Sequence, residues 1–177
     1  MSAIYYSFWL VPQEPDLAYF QDLINTLAKQ FGTVSFSPHV TLYSGFLPSS
    51  LSVETVLASL SSSTPMELEV VNLNHESRFS KTLYVQLKQA FWLAQLVNDL
   101  VSAMPNVQPP QLDPHLSLLY HRLEAVTKQN LIETIVLPRT TMRFNQIQAI
   151  AAPENFETQA HVMSLRCVHS QLLTTTS

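Results

Sequence analysis

Two short segments of this chain echo each other, Ser37-Pro38-His39-Val40-Thr41-Leu42 and Asp113-Pro114-His115-Leu116-Ser117-Leu118. They lie at equivalent places in a longer repeat, and that repeat constrains the fold more than any other feature. After an initial apolar strand, Ala3 to Val11, the chain reads helix, strand, helix, strand, strand, and then the same order again. In the first unit Leu17, Phe20, Ile24, Leu27 and Phe31 recur at helical spacing over Asp16 to Phe31, with Gly32 placed as a C-cap. The His39 strand follows, then a short helix from near Ser52 and strand-like runs at Glu67 to Asn74 and Thr82 to Leu87. In the second unit Leu93, Leu96, Val97, Leu100, Val101 and Met104 mark an amphipathic helix over Ala90 to Met104. The His115 strand, a helix over Ala125 to Ile135, and strands at Thr141 to Ala151 and His161 to Leu172 complete the order. The histidines are 76 positions apart (115 − 39), and the same offset carries Leu68–Leu73 onto Phe144–Ala149. A twofold relation between such halves brings the two histidine strands together.

Successive strand side chains point to opposite faces, so positions i and i+2 share one. Each segment therefore presents an imidazole and a hydroxyl side by side, His39 with Thr41 and His115 with Ser117. Two such units facing each other hold two proton-transfer groups and two hydrogen-bond donors around one small anion, which is what cleaving a phosphodiester needs. The bare pattern His-x-Ser/Thr carries little weight. With 6 His and 33 Ser or Thr in 177 residues, about one match arises by chance, and His75-Glu76-Ser77 is a third match outside the echo. What distinguishes the other two is their shared context: Pro before, an aliphatic residue inside, Leu after.

Composition narrows the partners. A hydrophobic content of 46% over 177 residues suits one compact body of two lobes. The net charge of −4, with nine Lys and Arg scattered along the chain, provides no basic footprint for a long nucleic acid. A small nucleotide is the expected ligand, and a monomer the expected state. With 2 Gly against 11 Pro, loop shape rests on proline. Cys167 is the single cysteine, which excludes an intrachain disulfide, and its apolar surroundings predict a buried thiol. No apolar stretch reaches membrane-spanning length and no basic leader opens the chain, so a cytoplasmic location is expected. Ser61 to Thr64 reads as a linker and Thr174 to Ser177 as a frayed tail.

The paired Pro-His-Val-Thr and Pro-His-Leu-Ser motifs resemble those of the two-histidine (2H) phosphoesterase superfamily, and in particular the cyclic phosphodiesterases of plants and yeast. In that group the second motif reads Pro-His-Leu-Ser-Leu-x-Tyr, matched here by Pro114-His115-Leu116-Ser117-Leu118-Leu119-Tyr120. Tyr6-Ser7-Phe8-Trp9-Leu10-Val11-Pro12 resembles the group's opening strand, whose tryptophan lines the substrate pocket. The resemblance runs from Tyr6 to about Leu172. It implies an α+β fold, bilobal, with two pseudo-twofold-related antiparallel sheets, outer helices and a central cleft: a single domain over 1–177 with repeat units 16–88 and 89–172. It also implies hydrolysis of nucleoside 2′,3′-cyclic phosphates or ADP-ribose 1″,2″-cyclic phosphate without metal or cofactor.

The chemistry follows from the side chains. Ring opening needs a base for water and an acid for the departing oxygen, and histidine serves either role near neutrality. The resemblance implies His115 as base and His39 as acid, with Thr41 and Ser117 donating to the non-bridging oxygens. Trp9 is either core or a stacking platform for a base. Tyr120 is a binding candidate that conflicts with strict alternation, which puts His121 on the face of His115 and Ser117 unless the strand bulges first. Phe79 and Phe156, in matching loops, either edge the cleft or anchor those loops. Arg78 and Lys81 either meet a second phosphate or are solvated. His75-Glu76 lacks metal-ligand spacing, and no metal cluster stands out. An RNA-end or 2′,5′-oligonucleotide phosphodiesterase, and a silent nucleotide-binding module, are the competing readings.

Overall fold

The computed structural model describes residues 4–60 and 66–173. The expected linker 61–64 and tail 174–177 lie outside the described residues. Strand β1 (Ile4–Pro12) leads into helix α1 (Asp16–Phe31), β2 (Val40–Leu47), α2 (Val53–Ala58), β3 (Met66–His75) and β4 (Leu83–Leu87), with a 3₁₀ turn, Phe79–Lys81, between the last two. The order then repeats as α3 (Phe91–Ser102), β5 (His115–Leu119), α4 (Ala125–Thr134), β6 (Thr141–Ala151) and β7 (Arg166–Leu172), with the short α5 (Gln159–Met163) before β7.

Local chemistry accounts for most boundaries. Gly32 ends α1 at φ 63°, a left-handed conformation that costs glycine little, and its N–H and that of Thr33 return to the last turn. Ser52 caps α2 by accepting Thr55 N–H. Helix α3 buries Leu93, Leu96, Val97, Leu100 and Val101 on the predicted stripe. Leu100 is fully buried, and truncating it to Ala costs about 2–5 kcal/mol.

Two expectations change. The run His161 to Leu172 is not one strand: Thr158 caps a helical turn through His161 N–H, and the strand begins only at Arg166. A side-chain cap at the right offset outweighs the apolar pattern there. Cys167 is exposed, not buried, because β7 is an edge strand bonded only to β6 and open to solvent along most of its length.

All seven strands pair antiparallel in the order β1-β2-β5-β4-β3-β6-β7, with a further β1–β6 pairing. The two expected sheets are thus continuous. One group, β2-β1-β6-β7, meets the other, β5-β4-β3, along β3–β6 and through the single ladder pair Val40↔Leu116. The sequence units do not form separate groups. β2 of the first unit joins β6 and β7 of the second through β1, and β5 of the second joins β3 and β4 of the first. The helices cross in the same way, α1 packing on β5 and α3 on β2. Val40 and Leu116 are the residues directly after the two histidines, so equivalent positions of the repeat face one another at the seam.

Candidate active site

Each histidine strand is pinned by one neighbour, β2 by β1 and β5 by β4, and both ladders break at the same place. Trp9 faces Thr41 and Phe8 faces Tyr43, leaving Leu42 as an extra residue. Tyr84 faces Ser117 and Leu83 faces Leu119, leaving Leu118 extra. Leu42 and Leu118 are 76 positions apart, so the bulge belongs to the repeat. A one-residue bulge reverses the alternation beyond it. That is why Tyr120 reaches the same side as His115 and Ser117, and why its counterpart Ser44 reaches the side of His39 and Thr41. His121 instead packs its half-buried ring near Phe31, 6.4 Å between ring centres.

The result is one cavity of about 250 Å³. His39, Thr41, His115, Ser117, Trp9 and Tyr120, the six residues singled out from sequence, all line it, together with Ser7, Ser44, Arg78, Lys81 and Phe156 among others. The two imidazoles are held alike. His39 Nδ1 lies 2.7 Å from the Ser37 carbonyl, and His115 Nδ1 lies 2.7 Å from the Asp113 carbonyl, each two residues back. A carbonyl only accepts, so both Nδ1 atoms carry hydrogen and both Nε2 atoms keep a lone pair in the neutral form.

Their surroundings differ. His39 sits in an aromatic box: its ring lies flat on Trp9 (3.5 Å between centres, 3° between planes) and edge-on to Phe36, and Tyr120 Oη stands 3.3 Å from Nε2. Trp9 is fixed in turn, its indole N–H donating to Ser7 Oγ at 2.8 Å, where Ser44 also donates. The indole face against His39 is therefore taken, and Trp9 is a platform for the imidazole. Burial pushes the His39 pKa down to about 3; the Ser37 carbonyl opposes this, and His115 adds to it. His115 has Tyr84 edge-on at 5.4 Å and lies beside the Lys81–Asp113–Glu76 ion network. Burial again lowers its pKa; the Asp113 carbonyl opposes, Lys81 and Arg78 assist, and the Asp113 carboxylate opposes.

The hydroxyls differ too. Ser117 is buried and donates to the Ser80 carbonyl at 2.8 Å, whereas Thr41 is exposed and makes no hydrogen bond among the described residues. Burial raises the Tyr120 pKa, so its phenol stays protonated and donates to His39. Phe79 is buried behind Tyr120, 6.2 Å away, while Phe156 reaches the cavity. Lys81 is buried and ion-paired at the cavity lining rather than solvated; Arg78 is exposed and paired with Glu76. Among the described residues no group of three His, Cys, Asp or Glu is placed to hold a metal ion. No described helix is long and apolar enough to cross a membrane.

Sequence reading missed Ser7, Ser44, Phe36 and the network at Lys81. Ser44 was findable, because the 76-residue offset from Tyr120 lands on it; the others left no signal in the motifs.

The family model described as cyclic phosphodiesterase-like protein matches residues 3–169. The chain belongs to that family. It is thereby a member of the 2H phosphoesterase superfamily and, by class, a phosphodiesterase. No curated protein matches it in sequence. Among solved structures it is similar to Escherichia coli LigT complexed with 3′-AMP, at 17% identity and TM-score 0.62, covering 98% of this chain and 99% of that one. LigT complexed with phosphate matches at 14% identity and TM-score 0.58, covering 98% and 99%. The TT0787 protein of Thermus thermophilus matches at 13% identity and TM-score 0.57, covering 96% and 98%. At these identities the likeness is one of fold.

Proposed function

We propose that this phosphodiesterase hydrolyses small nucleotide cyclic phosphates, a nucleoside 2′,3′-cyclic phosphate or ADP-ribose 1″,2″-cyclic phosphate, by two-histidine acid–base catalysis without a metal. The observation that carries the reading is the equivalent mounting of two neutral imidazoles, Nε2 unprotonated, on one cavity. About 250 Å³ suits a nucleotide-sized group better than an extended strand. In this reading the protein works as a monomer on a small substrate in cytoplasmic RNA metabolism, and long nucleic acids and membranes are not its partners.

His115 takes a proton from water, the hydroxide attacks phosphorus, one ring P–O bond breaks, and the departing oxygen receives a proton from His39. The product is a phosphomonoester. Lys81 and Arg78 oppose protonation of His115, which suits a base. The Trp9 face attracts a cation, which suits a ring that must carry the proton. In the free protein burial holds His39 low, which by itself argues for the opposite order. A bound phosphodiester anion offsets that penalty, so the proton enters His39 with the substrate. Thr41 donates to a non-bridging oxygen directly, and Ser117 does so by turning its hydroxyl from Ser80.

The test is incubation of the purified protein, with EDTA, with 2′,3′-cyclic AMP and with ADP-ribose 1″,2″-cyclic phosphate, followed by phosphorus NMR. Turnover that persists in EDTA and is lost in His39→Ala and His115→Ala is expected, and the product names the bond broken. A folded wild type that turns over neither substrate overturns the reading.

A further inference from the structure

Lys81 is the least exposed charged residue among those described, at 3%. A lysine ammonium stripped of water needs fixed partners. It has them: Asp113 Oδ2 at 2.5 Å, Glu76 Oε1 at 2.9 Å and the Tyr84 ring centre at 4.3 Å. Burial opposes its charge, but the bonds to Asp113 and Glu76 outweigh this and hold its pKa above the usual lysine value. Gln86 Nε2 adds bonds to Asp113 Oδ1 at 3.2 Å and to the Pro114 carbonyl at 3.0 Å. The two residues before His115 are thus tied down, and one of them supplies the carbonyl that orients the imidazole. At the equivalent place before His39 the residue is Ser37, which has no charge to pair.

We propose that Lys81 is a positioning residue for His115, a buried ammonium that clamps Asp113 and so fixes the carbonyl that presents the His115 Nε2 to substrate. The catalytic part of this inference rests on the reading under Proposed function. Lys81 also sets the charge that His115 meets. The charged and titratable groups facing that ring are Lys81 and Arg78 from the β3–β4 loop, Tyr84 from β4, Asp113 from its own segment, and His39 across the cavity, with Glu76 behind them on Lys81 and Arg78. Asp113 Oδ2 is 3.9 Å from His115 Nδ1. With Lys81 in place that carboxylate is neutralised by a direct ion pair; without it the carboxylate favours the imidazolium.

The two halves of the ion pair therefore push His115 in opposite directions, which a merely structural pair would not do at the imidazole. The experiment is NMR titration of the His115 ring proton in wild type, Lys81→Met, Lys81→Arg and Asp113→Asn, with circular dichroism to verify folding, alongside kcat and KM across pH. Lys81→Met is expected to move the His115 midpoint up and Asp113→Asn to move it down, with Lys81→Arg restoring the wild-type midpoint. Lys81→Met is also expected to lower kcat about 10- to 100-fold, with the acidic limb of kcat/KM moved up. Unchanged midpoints, or shifts of the same sign in both variants, overturn the proposal. So does a rise in KM alone, which would make Lys81 a phosphate ligand. If Lys81→Met does not fold, the downward shift in Asp113→Asn carries the test. The titration needs no substrate, so opposite shifts without wild-type turnover uphold the coupling and sink only the cyclic-phosphate reading.

Discussion

The two histidine strands share a scaffold and differ in chemistry. Both imidazoles hang from the carbonyl two residues back, both strands bulge three residues later, and both meet an aromatic residue across the ladder. Yet His39 lies against Trp9, Phe36 and Tyr120, while His115 lies against a buried lysine and its carboxylates. A duplicated backbone thus holds two identical side chains in unlike electrostatic settings, which an acid–base pair requires, since one member must give a proton where the other takes one.

Replacing either histidine breaks the comparison most severely. His39→Ala and His115→Ala are each expected to reduce turnover by at least about 10²–10⁴-fold, measured by product release at fixed pH. A large loss in only one would show that the two sites are not partners.

The apolar setting of His39 also predicts acid sensitivity. Its folded pKa of about 3 lies below the ordinary value of 6.5, so protons bind the unfolded chain more tightly. The associated stability is complete above about pH 6.5 and is lost as the pH falls toward about 3. His115 adds with the same sign. Urea unfolding across that range should fall less steeply in His39→Gln than in wild type; equal slopes would mean that the aromatic box does not hold His39 neutral.

The Trp9 platform sharpens the contrast further. Trp9→Leu is expected to lower kcat about tenfold, alike for a nucleoside 2′,3′-cyclic phosphate and for a base-free cyclic phosphate. A rise in KM confined to the base-bearing substrate would instead assign the indole to the base. Smaller effects separate the hydroxyls. Ser117→Ala strands the Ser80 carbonyl and should cost about 1–3 kcal/mol of stability, whereas Thr41→Ala, at an exposed position, should stay within about 0.5 kcal/mol. Equal stabilities in urea would show that Ser117 is no more committed to the fold than Thr41.

Much of this was legible from the residues. The periodicity of Asp16 to Phe31 and the Gly32 cap predicted α1 to the residue, and Thr141 to Ala151 is β6 as read. Alternation put His39 with Thr41 and His115 with Ser117 because i and i+2 share a strand face, a rule that needs only local geometry. It failed at Tyr120, where the bulge at Leu118 reverses the phase. The apolar pattern failed at His161 and Cys167, where a side-chain cap and an edge strand decided the outcome instead.

The sequence by itself determined the repeat, its period and the side chains it would present, because helix and strand periodicity and capping act within a few residues of one another. Only the tertiary structure decided that the first strand of each unit crosses to the other, and that the seam closes at Val40 and Leu116. It also decided that Trp9 lies under His39 while Lys81, 34 positions before His115, is buried beside it. Those facts depend on which surfaces the packed chain excludes from water, and burial sets the proton affinity of both histidines.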